Sequence, residues 1–434
     1  MPTKVVDITI STETAALPQE TFNDVALVGT ADSSPPDAEF GVANEYSAAS
    51  DVEDDYGSDS DVAVASSALE EMGVESWHVV VLEETQVTAE ELSDSASGTL
   101  DSAPILGTPE ATTSVESPTY VAGTPDNTLD AGDGVEVNPD TGDYYNPETG
   151  NTIDYSHVDW SHLDTALEGL GIDLIGKADT KFGLAHIGSL DELVAWADSH
   201  DAAVASASVN GSNLTEQEAM DIAHQVAGYV PAGSHLHVAH KSSQDVGAYI
   251  MGQAAVNDPW FDVFYDGDGY PFNTGYYRDV NVGEPGSGGT FEGGDSANNE
   301  GPTNVVINKA GTTVLSNSLS TAGASSNYQF WDIKRTENYA QAQVENALTS
   351  LRLQQDRIPF TGEGRTLIQD AIRGAFSDDV GGLNDPFSSV NVYVPEVATL
   401  TDAEKSNRVW SGITIDATLS GNVHQFSLKM NVQV

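Results

Sequence analysis

Three histidines within six positions, His235, His237 and His240, are the strongest metal-like group in the chain. Residues two apart on a strand share one face, so His235 and His237 could offer two imidazoles to a single ion. A zinc or related site needs a third and usually a fourth ligand. The chain has no cysteine, and no carboxylate stands at a spacing that completes the set. A solvated strand end is therefore the expectation for these histidines. Asp266-Gly267-Asp268-Gly269 could hold a cation between Asp266 and Asp268, but Asp-Gly pairs are first of all turn formers. Upstream, Asn138-Pro139-Asp140-Thr141-Gly142 returns as Asn146-Pro147-Glu148-Thr149-Gly150, with Asp143-Tyr144-Tyr145 between the copies. Asn-Pro and Thr-Gly pairs predict two turns flanking a short tyrosine strand, and the acids there lack the spacing of a calcium loop. The sequence has no phosphate-binding glycine loop, no nucleophile elbow and no Ser-His-Asp spacing beyond chance. The expectation is no catalytic residue, no metal, no cofactor and no enzyme.

Charge is the next constraint. The 434 residues carry 68 acidic and 15 basic side chains, a net charge of −53. Self-repulsion of that size destabilises a compact state unless dense counterions screen it, which points to a halophile, archaeal in origin. Nucleic acid is not expected as a direct partner, because its phosphates would be repelled. Disorder, the other home of such charge, does not suit a hydrophobic fraction of 39% with periodic segments. The acid is unevenly placed: residues 1–308 hold 55 acidic and five basic residues, and residues 309–434 hold 13 and ten. An almost neutral stretch in so acidic a chain is what a subunit interface requires, since burying unpaired carboxylates is costly. An ordinary domain with a larger core is the other reading. No apolar leader is present, nor any run near the ~18 apolar residues of a membrane span, so folding in the cytoplasm without membrane insertion is expected.

The elements that must position these residues alternate between strand and helix. Phe22–Thr30 reads as a buried strand, Val62–Met72 as a helix stopped at Gly73, and Trp77–Leu82 as a second strand, together a β-α-β unit. Residues 93–156 form an acidic exposed insertion. Beyond it, capping boxes at Ser189-Leu190-Asp191-Glu192 and Thr215-Glu216-Gln217-Glu218 start helices. The apolar runs Gly171–Ile175, Phe182–Ile187, Ala202–Val209 and His235–Ala239 lie between and around them, giving an α/β middle domain.

In the last hundred residues, a helix with Val344, Ala347, Leu348 and Leu351 on one face is separated by Pro359 from a second, capped by Thr361. Leu367, Ile368, Ala371, Ile372 and Ala375 form the stripe of that second helix. Asn391-Val392-Tyr393-Val394-Pro395 reads as a strand and Thr401-Asp402-Ala403-Glu404 as a capping box. Ile413, Ile415, Ala417 and Leu419 alternate into a turn at Ser420-Gly421-Asn422. Phe426, Leu428, Met430, Val432 and Val434 then alternate with polar neighbours in a final half-buried strand, and Val6, Ile8 and Ile10 do the same near the N-terminus. Strands at both ends of a chain can serve a neighbour's sheet.

This order resembles the tail sheath subunits of contractile-tailed viruses, here of a haloarchaeal virus. The likeness is carried by Asp332-x-x-Arg335-Thr336, by Ile358-Pro359-Phe360-Thr361-x-x-Gly364, by Val392-x-Val394-Pro395 and by the closing hairpin from Gly412. Val6-Asp7-Ile8-Thr9-Ile10, Leu27-Val28-Gly29 and Asp55-Tyr56-Gly57 match the family's opening. The resemblance implies an α/β (α+β) fold with a sheath-type core built from both chain ends. Its expected regions are an N-terminal strand arm at 1–21, core at 22–92 and 305–421, the insertion at 93–156, an outward-facing middle domain at 157–304 and a C-terminal strand arm at 422–434. It also implies hexameric rings stacked around a tail tube, in the virion tail and assembled in the host cytoplasm, contracting to drive the tube through the host envelope. The implied partners are further copies of the chain, a tail tube protein, and baseplate and tail terminator proteins. The implied inter-subunit strands carry Val6, Ile8, Ile10, Phe426, Leu428, Met430 and Val432. Two other classes stay open: a major capsid protein of a halophilic virus, and an acidic extracellular surface or carbohydrate-binding protein.

Overall fold

In the computed structural model the described residues are 23–31, 38–86, 110–111, 136–137, 144–145, 152–154, 156–158, 160–178, 187–208, 216–264, 270–271, 277, 300–309, 311–324, 326–377, 379–381 and 385–421. The chain divides into two compact units at the Trp331/Asp332 bond.

The first unit, residues 23–331, is organised by one sheet. Its strands are β1 (Val25–Ala31), β2 (Asn44–Tyr46), β3 (Trp77–Gln86), β8 (Ser156–Val158), β9 (Leu174–Lys177), β10 (Ala203–Ala207), β11 (His235–Ala239), β12 (Asn304–Lys309) and β13 (Thr312–Leu315). They lie in the order β13-β12-β11-β10-β9-β1-β3-β2, with β8 beside β3. All pairs from β12 across to β3 are parallel, while β2, β8 and β13 pair antiparallel. The chain therefore moves from β1 to β3 on one side, then restarts at β9 on the other, the doubly wound arrangement. The expected β-α-β unit at 22–82 is its first turn. Strands expected in the core at 22–92 and strands expected in a separate middle domain share this one sheet.

Parallel strands buried on both faces need apolar residues at odd and even positions alike, and the run Val25-Ala26-Leu27-Val28 supplies them. Val25 and Leu27 join Val79 and Val81 in one core, against helices α1 (Ala49–Tyr56), α2 (Asp61–Glu71) and α6 (Val246–Ala255). Ala26 and Val28 join Val80 and Leu82 in another, against α3 (Ser161–Leu167), α4 (Ile187–Ser199) and α5 (Glu216–Tyr229). The result is a three-layer α/β/α unit. Helix α2 is capped by Ser60, whose side chain accepts from the Ala63 amide, and stops before Gly73 at φ +86°, the stop read from the sequence. Trp77 is held by an indole donation to Ser66 Oγ at 2.9 Å. In a separate small sheet of order β4-β7-β6-β5, strand β6 (Tyr144–Tyr145) lies between β5 (Glu136–Val137) and β7 (Thr152–Asp154), with β4 (Glu110–Ala111) beyond. The tyrosine strand thus stands where the doubled turn motif placed it. The apolar run expected at Phe182–Ile187 is not a described strand: α4 starts at Ile187, and 179–186 lie outside the described residues.

Candidate assembly surface and the buried histidines

The second unit, from residue 332 on, holds most of α7 (Trp331–Gln354), then α8 (Gly362–Ala375), β14 (Phe387–Tyr393), α9 (Asp402–Asn407) and β15 (Thr414–Leu419). Pro359 keeps α7 and α8 apart, and the Thr361 side chain caps α8 by accepting from the Gly364 amide at 3.3 Å. Gly364 has its own reason to be glycine, since a Cβ there would run into the Pro359 carbonyl oxygen. That contact is the physical content of the Ile-Pro-Phe-Thr-x-x-Gly run. From α8, Ile368 and Ile372 pack with Val344, Phe376, Phe387, Val392 and Val394 into a small core, with Phe376 and Phe387 edge-to-face at 5.5 Å. The predicted capping box forms at Thr401 and Glu404. Hydrogen bonds from Ser411 and then Thr401 hold the Glu404 carboxyl down to about 2.

Strands β14 and β15 make a two-stranded antiparallel sheet, with Val390 opposite Ala417 and Val392 opposite Ile415. Such a ribbon has two edges. The β14 edge is taken at one end by residues 379–381, which bridge to Phe387, and at the other by α8, where Gln369 donates to the Val392 carbonyl at 2.9 Å and Arg365 to the carbonyl of Val394, just past the strand, at 2.7 Å. The β15 edge is open: among the described residues, nothing outside 386–393 hydrogen-bonds the main chain of Thr414–Leu419. An open edge is a template for one more strand. Gly421, at φ +67°, follows where the expected hairpin turns. The strand residues Phe426, Leu428, Met430 and Val432, the arm residues Val6, Ile8 and Ile10, and the acids Asp266 and Asp268 all lie outside the described residues.

His235 and His237 are described, and they correct the expectation of a solvated strand end. Both are fully buried, because β11 is an interior strand between β10 and β12. Sequence reasoning missed their partner, Ser206 on β10, whose Oγ is 2.7 Å from His235 Nε2 and 2.7 Å from His237 Nδ1. The carbonyl of Val230, 3.2 Å from His235 Nδ1, can only accept. His235 therefore carries its proton on Nδ1, Ser206 donates to His235 Nε2, and His237 Nδ1 donates to Ser206. Ser206 thus donates to one imidazole and accepts from the other while both stay neutral. Burial lowers the pKa of His235 to about 4, against a hydrogen bond at Val230 that pulls upward. Burial and the neighbouring His235, His240 and His224 push His237 well below 6.5. His240, donating from Nε2 to the Ser208 carbonyl at 2.7 Å, is lowered by burial to about 4. Among the described residues no group of three or more His, Asp or Glu is arranged to hold a metal ion, and no helix is long and apolar enough to cross a membrane.

No protein-family model matches the sequence, and no curated protein matches it. Among solved structures, the chain is similar to a chain of the anti-feeding prophage baseplate, six-fold symmetrised, with a TM-score of 0.55 and 13% identity over 100% of both chains. It is similar to a chain of the anti-feeding prophage helical sheath in the contracted state, with a TM-score of 0.55 and 13% identity over 99% of each. A chain of the same particle's baseplate in the contracted state matches with a TM-score of 0.50 and 10% identity over 99% of each. The shared property is the fold, an α/β fold also found in the anti-feeding prophage helical sheath chain.

Proposed function

We propose that this chain is the structural subunit of a contractile tail sheath, without catalytic activity. Copies stack as six-membered rings around a tail tube, between a baseplate and a terminator, and shorten to drive the tube through a host envelope. The observation that carries this reading is the full-length likeness to the helical sheath chain, which spans both units and the connection between them. The open edge of β15 supports it, since a polymer that slides while staying connected needs a link that travels with each subunit. Main-chain hydrogen bonds to an added strand, each worth roughly 0.5–1.5 kcal/mol net, make such a link. The strands we assign to it are Val6–Ile10 of one copy and Phe426–Val432, in a sheet with β15. The acidic composition supports a haloarchaeal virus as the source of the particle.

Negative-stain microscopy of the purified protein in molar salt tests the proposal, with tubes expected. Closed shells or dispersed particles would count against it. Deleting residues 1–12, or replacing Leu428 and Met430 with Asp, is expected to leave a folded chain that forms no tubes. Tubes that assemble and contract after either change would remove the strand-exchange element.

A further inference from the structure

The chain has 68 carboxylates for 15 basic side chains, yet several arginines of the second unit stand without one. Among the described residues, Arg352, Arg357, Arg373 and Arg408 make no ion pair, whereas Lys334 of the same unit reaches Glu337 at 3.9 Å. Two of these arginines belong to one place. The rings of Phe360 and Trp410 stack with centroids 5.4 Å apart, and Arg357 and Arg408 stand three and two residues before them. The Trp410 indole donates to the Pro395 carbonyl at 3.3 Å, next to the Val394 carbonyl that takes Arg365. The ring contact therefore brings together the two segments that carry Arg357 and Arg408. Arg408 is also held at φ +60°, ψ 36°, where it ends the short helix α9. Glycine or asparagine is the usual residue for that left-handed position. The Arg408 backbone N–H closes α9 on the Glu404 and Lys405 carbonyls, while its exposed side chain makes no ion pair among the described residues.

We propose that Arg357 and Arg408, flanking the Phe360–Trp410 stack, anchor carboxylates on residues 23–331 of a second copy of this chain. The proposal deepens the sheath reading and rests on it. Residues 23–331 carry 52 acidic and five basic residues, so the complement is supplied by the chain itself. A guanidinium grips a carboxylate through two parallel hydrogen bonds, and arginine beside aromatic rings is the composition of contact centres. Donor and acceptor surfaces are different regions of one molecule, so the contact is head-to-tail and propagates.

The test uses the full chain at constant salt, comparing self-association by sedimentation and microscopy for the wild type, for Arg357→Glu with Arg408→Glu, and for Arg408→Gly. The reversed pair is expected to keep the wild-type circular dichroism and to self-associate at least about tenfold more weakly. Arg408→Gly is expected to melt at the same or a higher temperature, because glycine relieves the backbone, while self-association still weakens. That split is one a purely structural arginine does not produce. Unchanged self-association in both variants overturns the proposal. So does retained self-association with loss of binding to a tail tube protein, which would make the tube the occupant. Wild-type tubes that the variants leave intact would remove this contact and keep the sheath reading. Arginine-dependent oligomers that are not tubes would do the reverse.

Discussion

Acid should unfold the 23–331 unit well before its carboxylates titrate, and the buried histidines set the size of the effect. His235 and His240 are held at about 4 and burial also holds His237 well below its ordinary value, against about 6.5 in an unfolded chain. A folded pKa below the unfolded one means that the unfolded state binds more protons. The stability these residues contribute is therefore complete above pH 6.5 and is lost as pH falls toward 4. At pH 5 His235 and His240 have each cost about 2 kcal/mol, so the two together remove about 4 kcal/mol from a fold whose total is of order 5–15 kcal/mol, and His237 acts in the same direction. The slope near pH 5.5 from these two should be about 2.4 kcal/mol per pH unit, or nearly two protons taken up on unfolding. The charged or titratable neighbours are His224, paired with Glu300 at 3.6 Å, Asp198, which accepts from Ser234, and Asp245 at the start of α6. Burial raises Asp191 and Glu192 on α4, which acts in the opposite sense at lower pH. Chemical denaturation at half-unit steps from pH 7.5 to 5.0, followed by tryptophan fluorescence, measures the slope. A flat stability profile between pH 7 and 5 would show that the imidazoles are not the neutral, buried groups described here.

Three further outcomes are expected. Gly364→Ala should lower the stability of the 332–421 unit by about 1–3 kcal/mol despite alanine's better helix propensity, because the new Cβ meets the Pro359 carbonyl; an unchanged or higher melting temperature would refute this. Thr401→Ala should remove the capping box and cost about 1 kcal/mol, seen as faster amide exchange confined to residues 402–407. Lowering salt from 1 M to 0.1 M lengthens electrostatic screening from about 3 to about 10 Å, so limited proteolysis should cut first within 23–331, where the negative charge is concentrated; first cuts inside 340–420 would contradict that.

Local rules made much of this chain legible from its residues. Thr361 caps a helix, the Thr401 box closes, Gly73 follows a helix end and Tyr144–Tyr145 is a strand. Each of these depends on neighbours within a few positions, and so does the alternation that splits Val25 to Val28 between two cores. The likeness to sheath subunits was carried by such short runs, and Gly364 shows why one of them has its spacing. What the sequence could not decide was rank in the sheet. His235-Leu236-His237 alternates like a strand with a polar face, yet pairing with β10 and β12 places both faces inside, and Ser206 lies 29 residues from His235. Burial of a strand is settled by which distant segments take its two edges. Openness follows the same logic: β15 has the pattern of any half-buried strand, and its edge is left free among the described residues because residues 379–381 and the Gln369 side chain take the β14 side. That Arg357 and Arg408 make no ion pair among the described residues likewise depends on where the carboxylates finally lie, a property of the whole fold rather than of any window of sequence.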